Sequence, residues 1–267
     1  MGSGITQGNL REFQLQLLEK LLILDEFLKE NQVQYYLIGG SALGAARHQG
    51  FIPWDDDIDI AMSRAEFERF ESLDFSKLEA QHLQYCKIGE NVILNAPTGF
   101  LYDRSDPSIP YEECLTIDIF PMDFVPEAKW KQRLQKLVSE MYHLAVSRSV
   151  AQNRGGFKKT LSAVIVACTP RWLFRQYEKF AKWAMLKLGG QQSSLISNIF
   201  GKKGYYKETV PAWYLEEQIE LPFEGHLLPV PKEYDIYLRA IYGDYMELPP
   251  EAERQPHHKD YTYQGAQ

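Results

Sequence analysis

Cysteine is scarce in this chain, and long apolar runs are missing from it. Only three of the 267 residues are cysteine, at positions 86, 114 and 168, and their spacing matches no metal-binding motif. Three thiols cannot all pair, so we expect core cysteines in a reducing compartment. The longest apolar run, AVIVAC at 163–168, is far too short to span a bilayer. Because no signal peptide opens the chain either, we expect a cytoplasmic protein, soluble or peripheral to the plasma membrane.

Acidic residues are nearly absent between residues 129 and 187. This segment holds thirteen Lys or Arg and only Glu140 and Glu178, a net charge of 13 − 2 = +11, whereas the rest of the chain carries 16 − 34 = −18. Basic amphipathic helices bind membrane surfaces, so we expect peripheral membrane contact through 129–187. Two alternatives are a core-facing helix pair and a groove for an anionic glycan or nucleic acid. Of the possible partners, we do not expect nucleic acid. Large apolar residues recur at helical spacing: Trp130, Leu134, Leu137, Met141, and then Trp172, Phe180, Trp183 and Leu186.

Acids are concentrated instead in residues 37–60, LIGGSALGAARHQGFIPWDDDIDI. Four of them stand within five positions: Asp55, Asp56, Asp57 and Asp59. Acids this close repel one another unless a cation lies among them, and carboxylate oxygens favour hard divalent ions such as Mg²⁺ or Mn²⁺. The alternation with Ile58 and Ile60 predicts a strand over 57–62 that carries two of the acids, Asp57 and Asp59, on one face.

A glycine turn precedes the acids. Residues 34–38 predict a short buried strand that ends at Gly39 and Gly40, and Ser41 is expected to cap the helix that follows. A strand, a glycine turn and a helix N-terminus leave backbone N–H groups aimed at an anion. The pattern therefore indicates a phosphate site beside a metal site.

The acidic stretch has two other interpretations. One is a solvated acidic turn. The other is an EF-hand loop, because five residues fall at its ligand positions: Asp55, Asp57, Asp59, Ser63 and Glu66. The sixth position of such a loop should be glycine and is Ile60 here, and Pro53 interrupts the helix that should precede it.

Several blocks of the chain resemble known families. The glycine turn followed by two acids separated by one apolar residue resembles the nucleotidyltransferase superfamily of the polymerase β type. The longer string GGSALGAARHQGFIPWDDDIDIAM at 39–62 is similar to the LicD family. Three later blocks match that family as well: TIDIFPMD at 116–123, P-x-E-Y-D-x-Y-L-R-x-x-Y-G-D at 231–244, and P-P-E-x-x-R-x-x-H-H at 249–258. Ala46 departs from the Val or Ile usual in the family, which is a change in packing.

The resemblance implies an α/β fold with a nucleotidyltransferase-like, mixed-sheet core and a mainly helical C-terminal half. We expect the catalytic core at 9–125, a basic helical region at 126–205, and a segment at 206–267 that packs on the core, all within one continuous domain. A capping box at Asn9 and Glu12 is expected to open the first helix. The remaining pattern predicts helices over 9–30, 127–150, 171–188, 192–200 and 232–242, and strands over 83–88, 99–104 and 115–120.

The same resemblance implies an activity. LicD-like proteins transfer a phospho-alcohol, typically phosphocholine, from CDP-choline or another CDP-alcohol to a glycan hydroxyl and release CMP. The acceptor is a lipid-linked precursor of teichoic acid or lipopolysaccharide. Three acids would form the catalytic site and hold one or two Mg²⁺ (or Mn²⁺): Asp57, Asp59 and Asp118. The donor diphosphate would lie against Gly39, Gly40 and Ser41.

Other side chains are site candidates with structural alternatives. Arg47 could bind a phosphate or simply stabilise the C-terminus of its helix. Trp54 could stack on the donor or pack in the core, and Asp123 could join the site or cap a turn. Further candidates are Asp55, His48, His257 and His258. Transfer of an NMP group to a small molecule and Ca²⁺-dependent binding without catalysis are the two alternative functions.

Overall fold

The computed structural model describes residues 7–87, 99–109, 114–147, 171–190, 192–199 and 205–256. The chain divides into two compact units. The first unit comprises Met1–Cys86, Phe100–Pro121 and Tyr214–Gln267, and the second comprises Lys87–Gly99 and Met122–Trp213. The C-terminal segment therefore belongs to the same unit as the glycine turn and the acids.

The first unit opens with helix α1 (Gln7–Glu30). The helix predicted over 9–30 is confirmed, and the six members of its apolar stripe are all buried: Leu10, Phe13, Leu17, Leu21, Leu24 and Leu28. Full burial of one such side chain stabilises the fold by about 1.5–3 kcal/mol. The capping box predicted at Asn9 and Glu12 is wrong, because the helix already begins at Gln7 and Asn9 is a helical position.

A sheet in the order β1-β2-β5-β4-β3 forms the centre of this unit. Its strands are β1 (Tyr36–Leu37), β2 (Ile58–Ser63), β3 (Leu83–Cys86), β4 (Gly99–Asp103) and β5 (Thr116–Val125). Strands β1 and β2 are antiparallel, with Leu37 opposite Ile60. The strand predicted over 34–38 is shorter than expected, because helix α2 (Gly39–His48) takes Ile38 as its N-cap. Strand β5 lies beside β2, so the two acid-bearing strands are neighbours.

Shorter elements complete the first unit. Helices α3 (Arg64–Glu71) and α4 (Ser76–Glu79) follow β2. The Ser63 side chain caps α3, because its hydroxyl accepts the Glu66 N–H at 3.2 Å. The Glu66 carboxylate accepts the Gln34 N–H at 3.0 Å. Later in the chain come the hairpin of β8 (Gln218–Phe223) and β9 (His226–Pro231) and helix α7 (Tyr234–Tyr242).

The second unit combines helices with the end of β5. Helices α5 (Lys129–Ser147) and α6 (Arg171–Gly189) pack on each other, and Asp123 on β5 lies opposite Ser197 on β6 (Leu195–Ser197). Strand β6 also pairs with β7 (Thr209–Pro211). The helix predicted over 192–200 is therefore wrong, because pairing on both edges outweighs local preference. The α/β class is confirmed, and the described part of the C-terminal half contains strands β6 to β9 as well as helices.

None of the described helices is both long enough and apolar enough to cross a bilayer.

Candidate active site

Two carboxylates lie against the glycine turn at the start of α2. A Cβ atom on Gly39 would lie 2.8 Å from Oδ2 of Asp59, and one on Gly40 would lie 2.6 Å from Oδ2 of Asp55. Gly39 also has φ +55°, a left-handed conformation that favours glycine. Glycine is thus required twice, and it brings both acids to the N-terminal turn of α2. The partial positive charge there stabilises ionised carboxylates, and its N–H groups can also bind a phosphate.

Ser41 links the glycine turn to strand β2. The predicted cap at Ser41 is wrong, because α2 begins two residues earlier and Ile38 is its N-cap, without a side-chain bond. The buried Ser41 hydroxyl instead accepts the Asp59 N–H at 2.9 Å. The Ile38 N–H donates to the Asp59 carbonyl at 3.1 Å. Two hydrogen bonds therefore fix the backbone of Asp59 relative to the turn.

Gln14 supports the acidic loop from a distant part of the sequence. Its buried side-chain amide on α1 donates to the carbonyl of Ile52 at 3.1 Å and to the carbonyl of Asp55 at 2.8 Å. The sequence analysis missed this residue. The only signal available was a glutamine next to the apolar stripe of α1, and such a signal does not identify its partner.

Glu224, in the turn between β8 and β9, supports the same loop. Its Oε1 accepts the Phe51 N–H at 3.0 Å, and Arg11 donates to the carboxylate with Nη1 at 2.8 Å. A Cβ on Gly50 would lie 2.3 Å from that Oε1, so a larger residue there would displace the Glu224 carboxylate. The hydrogen bond from Arg11, followed by the one from Phe51, lowers the pKa of Glu224 against the opposing effect of burial. The loop before the acids is therefore clamped by an ionised carboxylate.

The predicted metal ligands occupy two neighbouring strands. Asp57 is half-buried immediately before β2, Asp59 is half-buried on β2, and Asp118 is half-buried on β5. Among the described residues, no group of three or more His, Cys, Asp or Glu side chains is placed to hold a metal ion. The triad of Asp57, Asp59 and Asp118 therefore stays a prediction.

The pair at the glycine turn fits a metal that is bound partly by substrate. Mg²⁺ in phosphate-handling sites uses one or two carboxylates together with substrate phosphate oxygens, and Asp55 and Asp59 supply two carboxylates beside a phosphate-binding turn. An EF-hand is excluded, because Ile58–Ser63 form a strand paired with β1 rather than part of a loop.

Arg47, His48, Trp54 and Arg254 form a cluster near the end of α2. Arg47 Nη1 donates to the Tyr245 carbonyl at 2.6 Å, and Arg47 Nε donates to His48 Nε2 at 2.9 Å. His48 meets Trp54 edge-on, with ring centroids 6.2 Å apart, and the Arg254 guanidinium lies over the Trp54 ring at 5.5 Å. Burial, and then the charge of Arg47, lowers the pKa of His48. Arg254 was not among the predicted site residues, although it stands in the last family block.

Three candidates remain. Asp123 is buried in the second unit on β5, opposite Ser197. His257 and His258 lie outside the described residues.

The chain is similar to known proteins of one family. The family model described as "LicD/FKTN/FKRP, nucleotidyltransferase domain" matches residues 32–143. The chain is 30% identical over 263 residues to "Lipopolysaccharide cholinephosphotransferase LicD" of Haemophilus influenzae, an alignment that covers 95% of this chain and 97% of that protein. Over 41 residues it is 49% identical to "Ribitol 5-phosphate transferase FKRP" of Homo sapiens, covering 15% of this chain and 8% of that protein.

Proposed function

The chain belongs to the LicD family, and we propose that it is a phosphotransferase. In this proposal a phosphocholine or similar phospho-alcohol moves from a CDP-linked donor to a hydroxyl of a cell-surface glycan precursor, and CMP is released. The similarity to a choline phosphotransferase over nearly the whole of both chains supports the reaction class. The observation that carries the proposal is the approach of the Asp55 and Asp59 carboxylates to Gly39 and Gly40 at the start of α2.

The glycine turn is assigned to the donor diphosphate. The backbone N–H groups of the first turn of α2 would bind the diphosphate oxygens. The first N–H groups of a helix have no carbonyl partner within the helix and point out of its N-terminal end. Ser41 acts indirectly, by fixing Asp59 through its hydroxyl. For this binding, the phosphate must approach the backbone closely. Glycine allows that approach because it has no side chain.

The acids are assigned to metal binding and proton transfer. Asp57, Asp59 and Asp118, with Asp55 as a fourth carboxylate, would hold Mg²⁺ or Mn²⁺, which stabilises negative charge on the diphosphate and the departing CMP. The acceptor hydroxyl oxygen forms a bond to the phosphorus that carries the alcohol, and the bond from that phosphorus to the CMP oxygen breaks. Asp118, half-buried on the strand next to β2, would accept the hydroxyl proton.

The Trp54 cluster is assigned to the anionic part of the donor rather than to its choline group. A quaternary ammonium binds open aromatic faces, but one face of Trp54 already carries the Arg254 guanidinium at 5.5 Å. A second cation there would be repelled, whereas a phosphate or the cytosine ring would be attracted. Arg47 and Arg254 would supply the positive charge, and His48 would keep the Trp54 ring in place.

Transfer of an NMP group is the second candidate function. The matching family model is described as a nucleotidyltransferase domain, and the same acids and turn would serve that reaction. The two reactions differ in which phosphorus is attacked, so their products separate them. Ca²⁺-dependent binding without catalysis predicts no product at all.

The test is a product assay on the purified chain. CDP-choline, CDP-ethanolamine, CDP-glycerol and CDP-ribitol are each incubated with Mg²⁺ and either lipopolysaccharide or a teichoic acid precursor, and CMP is quantified. Parallel reactions with CTP and ATP detect pyrophosphate. The variant Asp59→Asn removes a site carboxylate, and Asp244→Asn changes an exposed acid of the same unit as a control.

The outcomes separate the three functions. CMP release that needs an acceptor and is lost in Asp59→Asn supports the phosphotransferase. Pyrophosphate release from CTP or ATP, with no CMP from any CDP-alcohol, would favour nucleotidyl transfer. Binding of Ca²⁺ in preference to Mg²⁺, with no product in any reaction, would favour the binding module.

A further inference from the structure

Helix α5 carries its large apolar side chains on the outside. Trp130 is 65% exposed, and three residues that follow it at helical spacing are also exposed: Leu134, Leu137 and Met141. The opposite side of the helix is buried and partly polar. Gln135 is fully buried there, and Ser139 is 6% exposed. A surface helix of a globular protein normally shows the reverse arrangement. The core-facing interpretation of this stripe is therefore wrong.

The buried polar residues of α5 have partners, so the inversion is specific. The Gln135 side-chain amide donates to the Met185 carbonyl of α6 at 2.8 Å and to the Phe124 carbonyl of β5 at 3.2 Å. The Tyr205 hydroxyl donates to the side-chain amide oxygen of Gln135. The Ser139 hydroxyl donates to the Ile199 carbonyl at 2.6 Å. Rotating α5 to bury its apolar stripe would break all these bonds.

Helix α6 also carries large apolar side chains on its outside, although its buried side is apolar. Ala181, Met185 and Gly189 are buried, whereas three large apolar residues are exposed: Leu173, Phe180 and Trp183. A Cβ on Gly189 would lie 2.0 Å from the Phe124 carbonyl, so α6 rests on the same point of β5 as Gln135 does. The buried sides of both helices face Phe124, and their apolar stripes are therefore both turned away from it. We call the seven exposed apolar side chains of α5 and α6 the docking face.

Basic residues surround the docking face. Helices α5 and α6 contain nine Lys or Arg and two acids, Glu140 and Glu178, a net charge of 9 − 2 = +7. Lys131 and Arg133, on either side of the α5 stripe, are exposed, and the Lys131 ammonium lies 5.7 Å from the Trp130 ring centroid. On α6, Lys187 is exposed on the same stripe as Trp183. The partner of this face must accept both apolar side chains and positive charge.

We propose that the docking face binds the surface of a bilayer that contains anionic lipids. Exposed tryptophans with basic neighbours suit the headgroup region, where the ring enters the apolar boundary and the cation meets phosphate. A soluble anionic glycan or nucleic acid would use the charge but would leave the leucines in water. A second copy of the chain would bring two positive faces together. This inference does not depend on the proposed activity.

The test is vesicle sedimentation of the full chain. Vesicles of phosphatidylcholine alone are compared with vesicles that also contain phosphatidylglycerol, at low and high salt. The variant Trp130→Ala/Trp183→Ala removes two exposed aromatic rings. The control Trp213→Ala/Leu227→Ala removes two exposed apolar side chains, 47% and 56% exposed, from elsewhere in the chain. Circular dichroism verifies that both variants fold.

The expected result is binding to the anionic vesicles that falls with salt, because screening weakens the attraction. Trp130→Ala/Trp183→Ala should weaken it about tenfold or more, and the control should not change it. Lys129→Gln/Lys131→Gln/Arg133→Gln should weaken it in the same direction and serves if the aromatic variant fails to fold. Equal binding to both vesicle types, no binding to either, or an unchanged aromatic variant would overturn the proposal. So would sedimentation velocity showing a dimer that Trp130→Ala/Trp183→Ala dissociates.

Discussion

One loop of the first unit and two helices of the second depart from the usual distribution of polar and apolar residues in opposite ways. In the loop, acids are inside: Asp55 and Asp56 are 6% and 4% exposed. In helices α5 and α6, large apolar residues such as Trp130 and Trp183 are outside, while Gln135 of α5 is fully buried. Burying an acid costs free energy unless it is compensated, whereas exposing a single apolar residue is common and costs little. The buried acids therefore need a dedicated supporting structure. The exposed apolar residues need only a framework that keeps α5 and α6 in their orientation.

The supporting structures differ accordingly. The acidic loop is fixed from several directions, by Ser41 from α2, Gln14 from α1 and Glu224 from the β8–β9 turn. The hydrogen bonds described for the docking face come from the buried side of α5, through Gln135 and Ser139. Changes at the loop should therefore affect chemistry, and changes at the docking face should affect association. The following predictions test that division.

The largest effect is expected at the acids themselves. Asp57→Asn, Asp59→Asn and Asp118→Asn should each lower turnover by about 10²–10³-fold, because each removes negative charge that a catalytic cation requires. The measurement is the initial rate of CMP release under saturating Mg²⁺. The exposed-acid variant Asp244→Asn should keep the parent rate. An acid whose replacement leaves more than a few per cent of activity is not part of the site.

The next effect concerns the space between the turn and the loop. Gly40→Ala puts a methyl group 2.6 Å from Oδ2 of Asp55, so the carboxylate must move. Displacing a reacting group by about 1 Å can cost about 10²-fold, and we expect a loss of about tenfold or more in kcat. The control is Gly190→Ala in the second unit, where a Cβ meets only the Gln192 carbonyl oxygen, at 4.0 Å, although φ is +77°. That variant should lose stability and keep its kcat, so equal losses in both would refute the steric explanation.

A third prediction tests the inversion of α5 directly. Ordinary helix patterning predicts that Gln135→Leu at a buried position stabilises the fold. Here it should destabilise it by about 2–4 kcal/mol, because the carbonyls of Phe124 and Met185 and the Tyr205 hydroxyl lose their partner. Trp130→Ala on the exposed side should change stability by less than about 0.5 kcal/mol. Urea unfolding measures both, and the opposite order would show that α5 is turned the other way in solution.

The sequence predicted the local elements of the first unit well. The helix predicted over 9–30 and the strand predicted over 115–120 are both confirmed, because each depends on a regular period. The cap at Ser41 was wrong, because the serine hydroxyl bonds across to Asp59 rather than along its own helix. Local propensity cannot show a bond between elements eighteen residues apart.

The second unit shows a different limit of sequence patterns. The spacing of Trp130, Leu134, Leu137 and Met141 correctly indicated one stripe of a helix. Spacing gives the stripe but not the side to which it is turned, and that depends on the partners of Gln135. The helix expected at 192–200 failed for a similar reason, because β6 forms only when β5 and β7 are beside it. Long-range pairing decided both cases.

The smallest expected effect lies at the edge of the acidic loop. Glu224 holds this loop through the Phe51 N–H and is bound in turn by Arg11. Glu224→Gln keeps the shape of the side chain and its acceptor oxygen but removes the charge. We expect a loss of about 1 kcal/mol at neutral pH, because part of the pair is exposed and screened. The control is Glu217→Gln in the exposed pair with Lys232 at the end of the same hairpin, where a change in charge should leave the loop intact.

The pH dependence separates a clamp from a simple surface pair. The hydrogen bond from Arg11 lowers the pKa of folded Glu224 below the unfolded value of about 4.3. The stabilisation by ionised Glu224 is then fully present above the unfolded pKa. It is lost as the pH falls through the folded pKa, since the unfolded state binds the proton more tightly. The difference in unfolding free energy between the parent chain and Glu224→Gln should therefore be constant from neutral pH down to about 5 and shrink below about 4.3. A difference that persists unchanged at low pH would show that Glu224 supports the loop by packing alone, without its charge.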